Sequence, residues 1–274
     1  MKPPIGYYGS KATIASQIVR LLPPHEHYVE PYCGSLAVLL AKPPSKLETV
    51  NDLDQDLVTF WRVCRDRLDD LERVVAFTPH SRVEHLEAYQ PADDELETAR
   101  RVWVLLSQGR SGTLRKTGWR YYVDPAGTSI SMPAYLDAYR SRLPPAARRL
   151  MAVSLEARPA LEVIAQYGQH PSTLLYVDPP YLKSTRGGTN YRHEMPDEAG
   201  HRELAEALLE ARAAVVVSGY ASPLYGDLYG AWDRVEIATG TGQGGTYEGR
   251  TEVLWSNRPL GRQASLFDAL EVPA

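Results

Sequence analysis

Thr173-Leu174-Leu175-Tyr176-Val177-Asp178-Pro179-Pro180-Tyr181 is the stretch on which the fold of this 274-residue chain turns. Five apolar or β-favouring residues in a row predict a strand buried on both faces, as in the interior of a parallel sheet. The proline pair ends it, because a proline nitrogen has no hydrogen to give a ladder. Working outward, a strand ending Tyr28-Val29-Glu30 is followed by a turn from Pro31 to Gly34 and an apolar helix from Ser35 to Ala41. A strand from Glu48 to Asn51 then leads into a helix carrying Leu57, Phe60 and Trp61. This βαβα order predicts a mostly parallel sheet with helices on its faces. Residues 10–22 predict a further helix, capped by Ser10, with Ile14, Ile18 and Leu21 on one face and Pro23-Pro24 as its stop. Past Tyr181, a helix from Asp197 to Ala211 and strands at Ala213–Ser218 and Thr251–Ser256 resume the pattern. Between about 62 and 150 the alternation gives way to helical stretches and a Gly-rich basic segment, which places an inserted lobe there.

The bulk numbers suit one α/β core with a smaller lobe: 43% of residues are hydrophobic and the net charge is -4. Cys33 and Cys64 have neither the spacing of a zinc site nor the density of a disulfide scaffold, so they read as reduced thiols, with no metal expected. No apolar run reaches the length of a signal peptide core or a membrane span, so a cytoplasmic protein is expected. Basic residues cluster despite the negative total. From Thr98 to Val123 there are Arg100, Arg101, Arg110, Arg115, Lys116 and Arg120 and no acid, and Arg140, Arg142, Arg148 and Arg149 follow. Such patches are how an acidic protein holds phosphate backbones.

The carboxyl end of a strand in an open α/β sheet is where ligands bind, and Asp178-Pro179-Pro180-Tyr181 stands there. An exocyclic amine such as adenine N6 is a poor nucleophile, because its lone pair is delocalised into the ring. Asp178 offers a carboxylate and Pro179 a main-chain carbonyl, two acceptors on a backbone stiffened by Pro180. Tyr181 supplies a flat face for a base taken out of a duplex. The plain alternative is a strand closed by a Pro-Pro turn. At the first strand, Gly34 lets a ligand approach the backbone beside a helix start. About 20 residues after such a turn an acid can hold a ribose, the place taken by Asp52 and Asp54. Asp52 is read as the ribose ligand and Asp54 as the helix cap, the alternative being that either merely caps.

Together these residues resemble the Dam-like, D12 class DNA adenine N6-methyltransferases. The match runs through Tyr7-Tyr8-Gly9-Ser10-Lys11, Tyr28 to Gly34, Val50 to Asp54, Asp178 to Tyr181 and Glu252 to Asn257, in the order of that family's α group. The resemblance implies a Rossmann-like, S-adenosylmethionine-dependent methyltransferase core, with a mostly parallel seven-stranded sheet that has one antiparallel strand. The core would comprise 1–60 and 151–257, the mainly helical recognition lobe 61–150 and a flexible tail 258–274. Tyr7, Lys11, Glu30, Pro31, Gly34, Asp52 and Asp178 would line the cofactor site. Without the resemblance, Lys11 would read as a solvated helix lysine. Relatives often carry a second glycine two positions after Gly34, where this chain has Leu36. The methyl would pass directly to N6, with Asp178, Pro179, Pro180 and Tyr181 at the catalytic site.

Residues 109–122 would then form the DNA-reading element, plausibly a hairpin. Arg110, Arg115, Lys116 and Arg120 would grip phosphates or bases, and Trp119, Tyr121 and Tyr122 would wedge or stack. A solvated basic loop is the alternative. The Gly-containing stretch Lys183–Tyr191 reads either as a loop closing over the flipped base or as plain surface. In the tail, Gln263, Leu266 and Phe267 resemble the short peptide with which bacterial proteins dock on the replicative sliding clamp, though a packed terminus would look the same. Double-stranded DNA is the expected partner, a monomer the expected state, and a bacterium or phage the expected source. Three rival functions stay open. One is N4-cytosine methylation, whose enzymes usually carry serine where Asp178 stands; another is methylation of RNA or of a protein amide, for which an inserted basic lobe would be an odd accessory; the third is a catalytically inactive DNA-binding module.

Overall fold

A computed structural model of the chain describes residues 1–121, 130–185, 190–195, 197–239 and 250–261. Its strands are β1 (His27–Glu30), β2 (Leu47–Asn51), β3 (Ser154–Glu156), β4 (Thr173–Val177), β5 (Ala214–Gly219), β6 (Asp233–Thr239) and β7 (Arg250–Ser256). Among the described residues they form one seven-stranded sheet in the order β3-β2-β1-β4-β5-β7-β6. β7 runs antiparallel to both its neighbours, β5 and β6, and every other pairing is parallel. This is the Rossmann-like arrangement, with one reversed strand, that the resemblance implied.

β4 and β5 are buried throughout, as their apolar runs require. Successive side chains leave opposite faces of a strand. Leu174, Tyr176, Ala214 and Val216 therefore join one core cluster, and Leu175, Val177, Val215 and Val217 the other. The second cluster is completed by α9 (Ala160–Tyr167), α10 (Glu198–Leu209) and α11 (Pro223–Tyr229). The first is completed by α1 (Ala15–Leu21), α2 (Ala37–Ala41) and α3 (Gln55–Asp66), and it continues through α4 (Leu68–Ala76), α6 (Glu95–Gln108) and α8 (Leu143–Leu150). The short α5 (Arg82–Glu87) and α7 (Met132–Arg140) lie between them in sequence. The helical region thus shares its core with one face of the sheet. None of the described helices is long and apolar enough to cross a membrane.

Several local expectations change. The helix read from residue 10 begins at Ala15, and Ile14 occupies its N-cap without a side-chain bond. Ser10 instead bonds the Ser35 hydroxyl at 2.7 Å. The helix read from Ser35 begins at Ala37, because Leu36 takes the left-handed conformation, φ 57°. β3 and β6 carry no strong apolar run and were not legible. The tail does not start free at Asn257. Leu260 is buried, its amide donates to Asp233, and the Gly261 amide donates to the Leu21 carbonyl.

Leu36 stands where relatives often have glycine, and its φ explains why: a side chain in that region costs roughly 1–2 kcal/mol. The leucine persists because it is fully buried. Leu36→Gly removes the strain and the side chain together, and truncating a core leucine costs about 2–5 kcal/mol. The variant is expected to be less stable by about 1–3 kcal/mol in chemical denaturation; a gain in stability would show that strain outweighs packing.

Candidate active site

The strand order reverses between β1, which leads to β2 on one side, and β4, which leads to β5 on the other. Such a reversal leaves a crevice at the carboxyl ends of the two strands. A cavity of about 250 Å³ lies there, and its wall includes Tyr7, Lys11, Glu30, Pro31, Gly34, Asp52 and Asp178. The turn after β1 is built for close approach. Gly34 has φ +45°, and a Cβ on it would meet the Tyr7 ring at 3.2 Å. Its amide donates to Asp52 at 3.0 Å, and its carbonyl accepts from the Trp61 indole at 3.0 Å. Asn51, the last residue of β2, donates to the Pro31 carbonyl and so ties the turn to the neighbouring strand.

Asp54 caps α3, accepting from the amides of Asp56 and Leu57. Asp52 accepts from the amides of Gly34 and Asp54, one on each oxygen, and keeps a lone pair on each. Burial pushes its carboxyl up to about 6. Burial likewise raises Glu30 to about 8, against the Tyr28 hydroxyl at 2.6 Å and the Leu39 amide at 2.9 Å, which donate to it.

Lys11 is not a solvated helix lysine. Buried at 5% exposure, it donates to both oxygens of Asp178, at 2.8 and 2.6 Å, and to the Gly9 carbonyl at 2.8 Å. Burial raises the Asp178 carboxyl to about 6, opposed by Lys11, while Lys11 itself is pushed up by its acidic neighbours and stays charged. Of the tetrapeptide, Asp178 and Pro180 line the cavity; Pro179 and Tyr181 do not. Tyr181 is 8% exposed, with the Tyr220 ring edge-on against it and the Lys11 ammonium 4.9 Å from its centre. Its hydroxyl donates to Glu252 on β7.

Sequence reasoning missed part of the wall, which comes from Tyr32, Leu161, Tyr176 and residues 192–195; Tyr191, the last residue of the expected closing loop, lines it too. Alternation along β4 points Tyr176 toward the same cluster face as Leu174, a signal that was available. Nothing in the sequence marks Arg192, which reaches Asp56 at 2.6 Å and Asp54 at 3.4 Å.

Against this geometry, the family model described as D12 class N6 adenine-specific DNA methyltransferase matches residues 7–237. The chain belongs to that family. It is accordingly an adenine-specific DNA methyltransferase whose cofactor is S-adenosylmethionine. No curated protein matches significantly. Among solved structures, the chain is similar to a precorrin 8W decarboxylase of Methanobacterium thermoautotrophicum, at 10% identity and TM-score 0.35, covering 93% of this chain and 94% of that one. It is also similar to an S-adenosylmethionine-dependent methyltransferase of Agrobacterium tumefaciens, at 11% identity and TM-score 0.36, covering 90% of this chain and 60% of that one.

The methyltransferase's basic segment does form a hairpin-like loop. Gly109 bridges Trp119, and the amides of Arg110 and Arg120 donate to Gly118 and Gln108. Arg110, Arg115 and Lys116 are exposed on it, and among the described residues none of them or Arg120 meets a carboxylate. Trp119 is half-buried, stacked on His80 at 4.3 Å and on Tyr121 at 5.8 Å, with Arg82 above it at 4.9 Å. The basic runs read from the sequence are smaller in space than in line. Arg100 pairs with Glu84 and Glu97, Arg101 with Glu97, Arg140 with Asp137, and Arg149 with buried Glu48. Tyr122, residues 186–189 of the expected closing loop, and Gln263, Leu266 and Phe267 lie outside the described residues.

The loop is held at two places, by the N-terminal segment and by residues 190–192. The Tyr8 amide donates to the Gly112 carbonyl at 2.7 Å, and a Cβ on Gly112, whose φ is +60°, would meet the Gly6 carbonyl oxygen at 3.0 Å. Thr113 donates to the Asn190 carbonyl, Arg115 to that of Tyr191 at 3.3 Å, and Arg192 to that of Leu114 at 3.4 Å.

Proposed function

We propose that the cavity between β1 and β4 binds S-adenosylmethionine and that Asp178 and Pro179 orient the N6 amine of an adenine flipped out of the duplex. The supporting observation is convergence: seven residues from four separate segments meet in one cavity, with Asp178 in its wall gripped by Lys11. The lining suits that cofactor. Tyr7 and Tyr32 supply aromatic surface for a purine, Asp52 has lone pairs for ribose hydroxyls, and Asp52, Asp54 and Asp178 make an acidic surround for a cationic ligand. When bound, the cofactor supplies an electrophilic methyl group on a sulfonium, transferred directly to N6. Asp178, kept ionised by Lys11, accepts a hydrogen bond from the amine. The Pro179 carbonyl accepts the other, which localises the nitrogen lone pair. Tyr181 bounds the space for the base. Most of the acceleration on this reading is positional.

In the same reading residues 61–150 form the recognition lobe inserted in a core of 1–60 and 151–257, and the hairpin's Arg110, Arg115 and Lys116 meet phosphates. Lys116→Ala is expected to weaken target and non-target DNA alike and to lower the slope of log K against log salt by about 1. An unchanged slope would remove Lys116 from the phosphate contacts.

The deciding experiment incubates the protein with tritiated-methyl S-adenosylmethionine and unmethylated DNA, then identifies the labelled nucleoside, with Asp178→Ala alongside. Label in N6-methyladenosine that vanishes in the variant is expected. Label in N4-methylcytosine would overturn the base assignment, and bound cofactor without label would favour an inactive DNA-binding module.

A further inference from the structure

We infer that Glu252 is a positioning residue for methyl transfer, its carboxylate on β7 holding the Tyr181 ring and, through Lys11, the charged surround of Asp178; this rests on the catalytic reading above. Glu252 is buried at 3% exposure in the middle of a sheet, an expensive place for an acid unless it is fully engaged. One oxygen collects the contacts. The Tyr181 hydroxyl donates to it, the Ser218 hydroxyl donates to it at 2.6 Å, and the Lys11 ammonium lies 3.9 Å away. These partners come from three places: the tetrapeptide after β4, the end of β5 and the N-terminal segment. β7 is antiparallel between β5 and β6, with Val253 in register with Gly219 and Leu254 with Ser218. The reversed strand thereby brings a buried acid against Tyr181 and Lys11.

The arrangement gives Glu252 two ways to act without touching substrate. A phenol hydrogen-bonded to a fixed carboxylate cannot swing, so the ring beside the base site keeps one orientation. The carboxylate also competes with Asp178 for the field of Lys11. Asp178 is faced by Lys11, Glu252 and Tyr181, with Glu30, Tyr176 and Tyr225 farther out. Lys11 favours the charged form of Asp178 and Glu252 opposes it. Removing the Glu252 charge should therefore move the acid limb of the rate profile to lower pH.

The test measures kcat, KM and the pH profile of adenine methylation for the wild type, Glu252→Gln, Tyr181→Phe and the double variant, with thermal unfolding of each. Glu252→Gln is expected to lower kcat about 10- to 100-fold, to change both KM values less than about threefold, and to shift the acid limb downward. The double variant should lose less than the product of the two single losses, because the residues share one route. A kcat within about twofold of wild type would overturn the inference. So would a loss that tracks lowered stability while the acid limb stays put. If Glu252→Gln does not fold, Tyr181→Phe decides: unchanged kcat overturns the role, and a lowered kcat with intact folding supports it. A wild type that places no methyl on adenine, or an active Asp178→Ala, would instead defeat the catalytic reading itself.

Discussion

Asp178→Asn is expected to lose methylation by about 100- to 10,000-fold while the protein stays folded and still takes up cofactor. The substitution keeps the volume and one acceptor oxygen, and removes the charge together with one of the two hydrogen bonds from Lys11. Two consequences separate this from a folding defect. Cofactor affinity, measured calorimetrically, should fall less than kcat, because Tyr7, Glu30, Gly34 and Asp52 still line the cavity. The wild-type rate should also fall as pH drops through about 6, where the buried Asp178 carboxyl takes up its proton. Lys11 opposes that protonation, so Lys11→Gln should move the acid limb to higher pH. A flat profile between pH 5 and 8 would count against Asp178 as the ionised acceptor.

Trp61→Ala should give the largest loss of stability, about 3–5 kcal/mol in chemical denaturation. The indole is fully buried in α3 against Phe60, ring centres 4.9 Å apart. Its N–H is also the donor to the Gly34 carbonyl, in the turn whose amide donates to Asp52. Trp61→Phe separates the two roles. It keeps most of the packing but leaves that carbonyl without its donor, at a cost of about 1–3 kcal/mol. Cofactor affinity should drop in this variant as well. Equal affinity with lowered stability would mean the turn holds its shape without the indole.

The central strands were legible because burial on both faces writes itself into β4 and β5 as continuous apolar runs. The site was legible where chemistry demands rare combinations, as at Asp178-Pro179-Pro180-Tyr181 or Gly34 followed by Asp52. Asp54 as a cap was readable because capping is local. β3 has three residues and β6 lies at the sheet edge with mostly exposed side chains, so neither leaves a hydrophobic signature; only Val235 and Ile237 alternate on β6. Charge was misjudged for a different reason. Arg149 meets Glu48 across about a hundred positions of chain, 101 in sequence, and no local window reveals such neutralisation. Arg192 and the partners of Glu252 were hidden for the same cause, since their contacts span 138 and 71 positions.

On the proposed DNA-reading role of the basic loop, its mooring has a bearing on how a new target could be acquired. Gly112, Thr113, Leu114 and Arg115 fasten the loop to the N-terminal segment and to residues 190–192, while Arg110 and Lys116 on either side of them are exposed. The moorings and these two exposed cations are thus different residues of one short stretch. Arg110 and Lys116 can be substituted without breaking any of the moorings described above. Swapping the whole loop from a distant relative would tear the moorings, and with them Arg192, which also holds Asp54 and Asp56 beside the cofactor cavity. On the proposed reading, new sequence preferences should therefore arise by substitution at Arg110 or Lys116 far more readily than by transplantation of the loop.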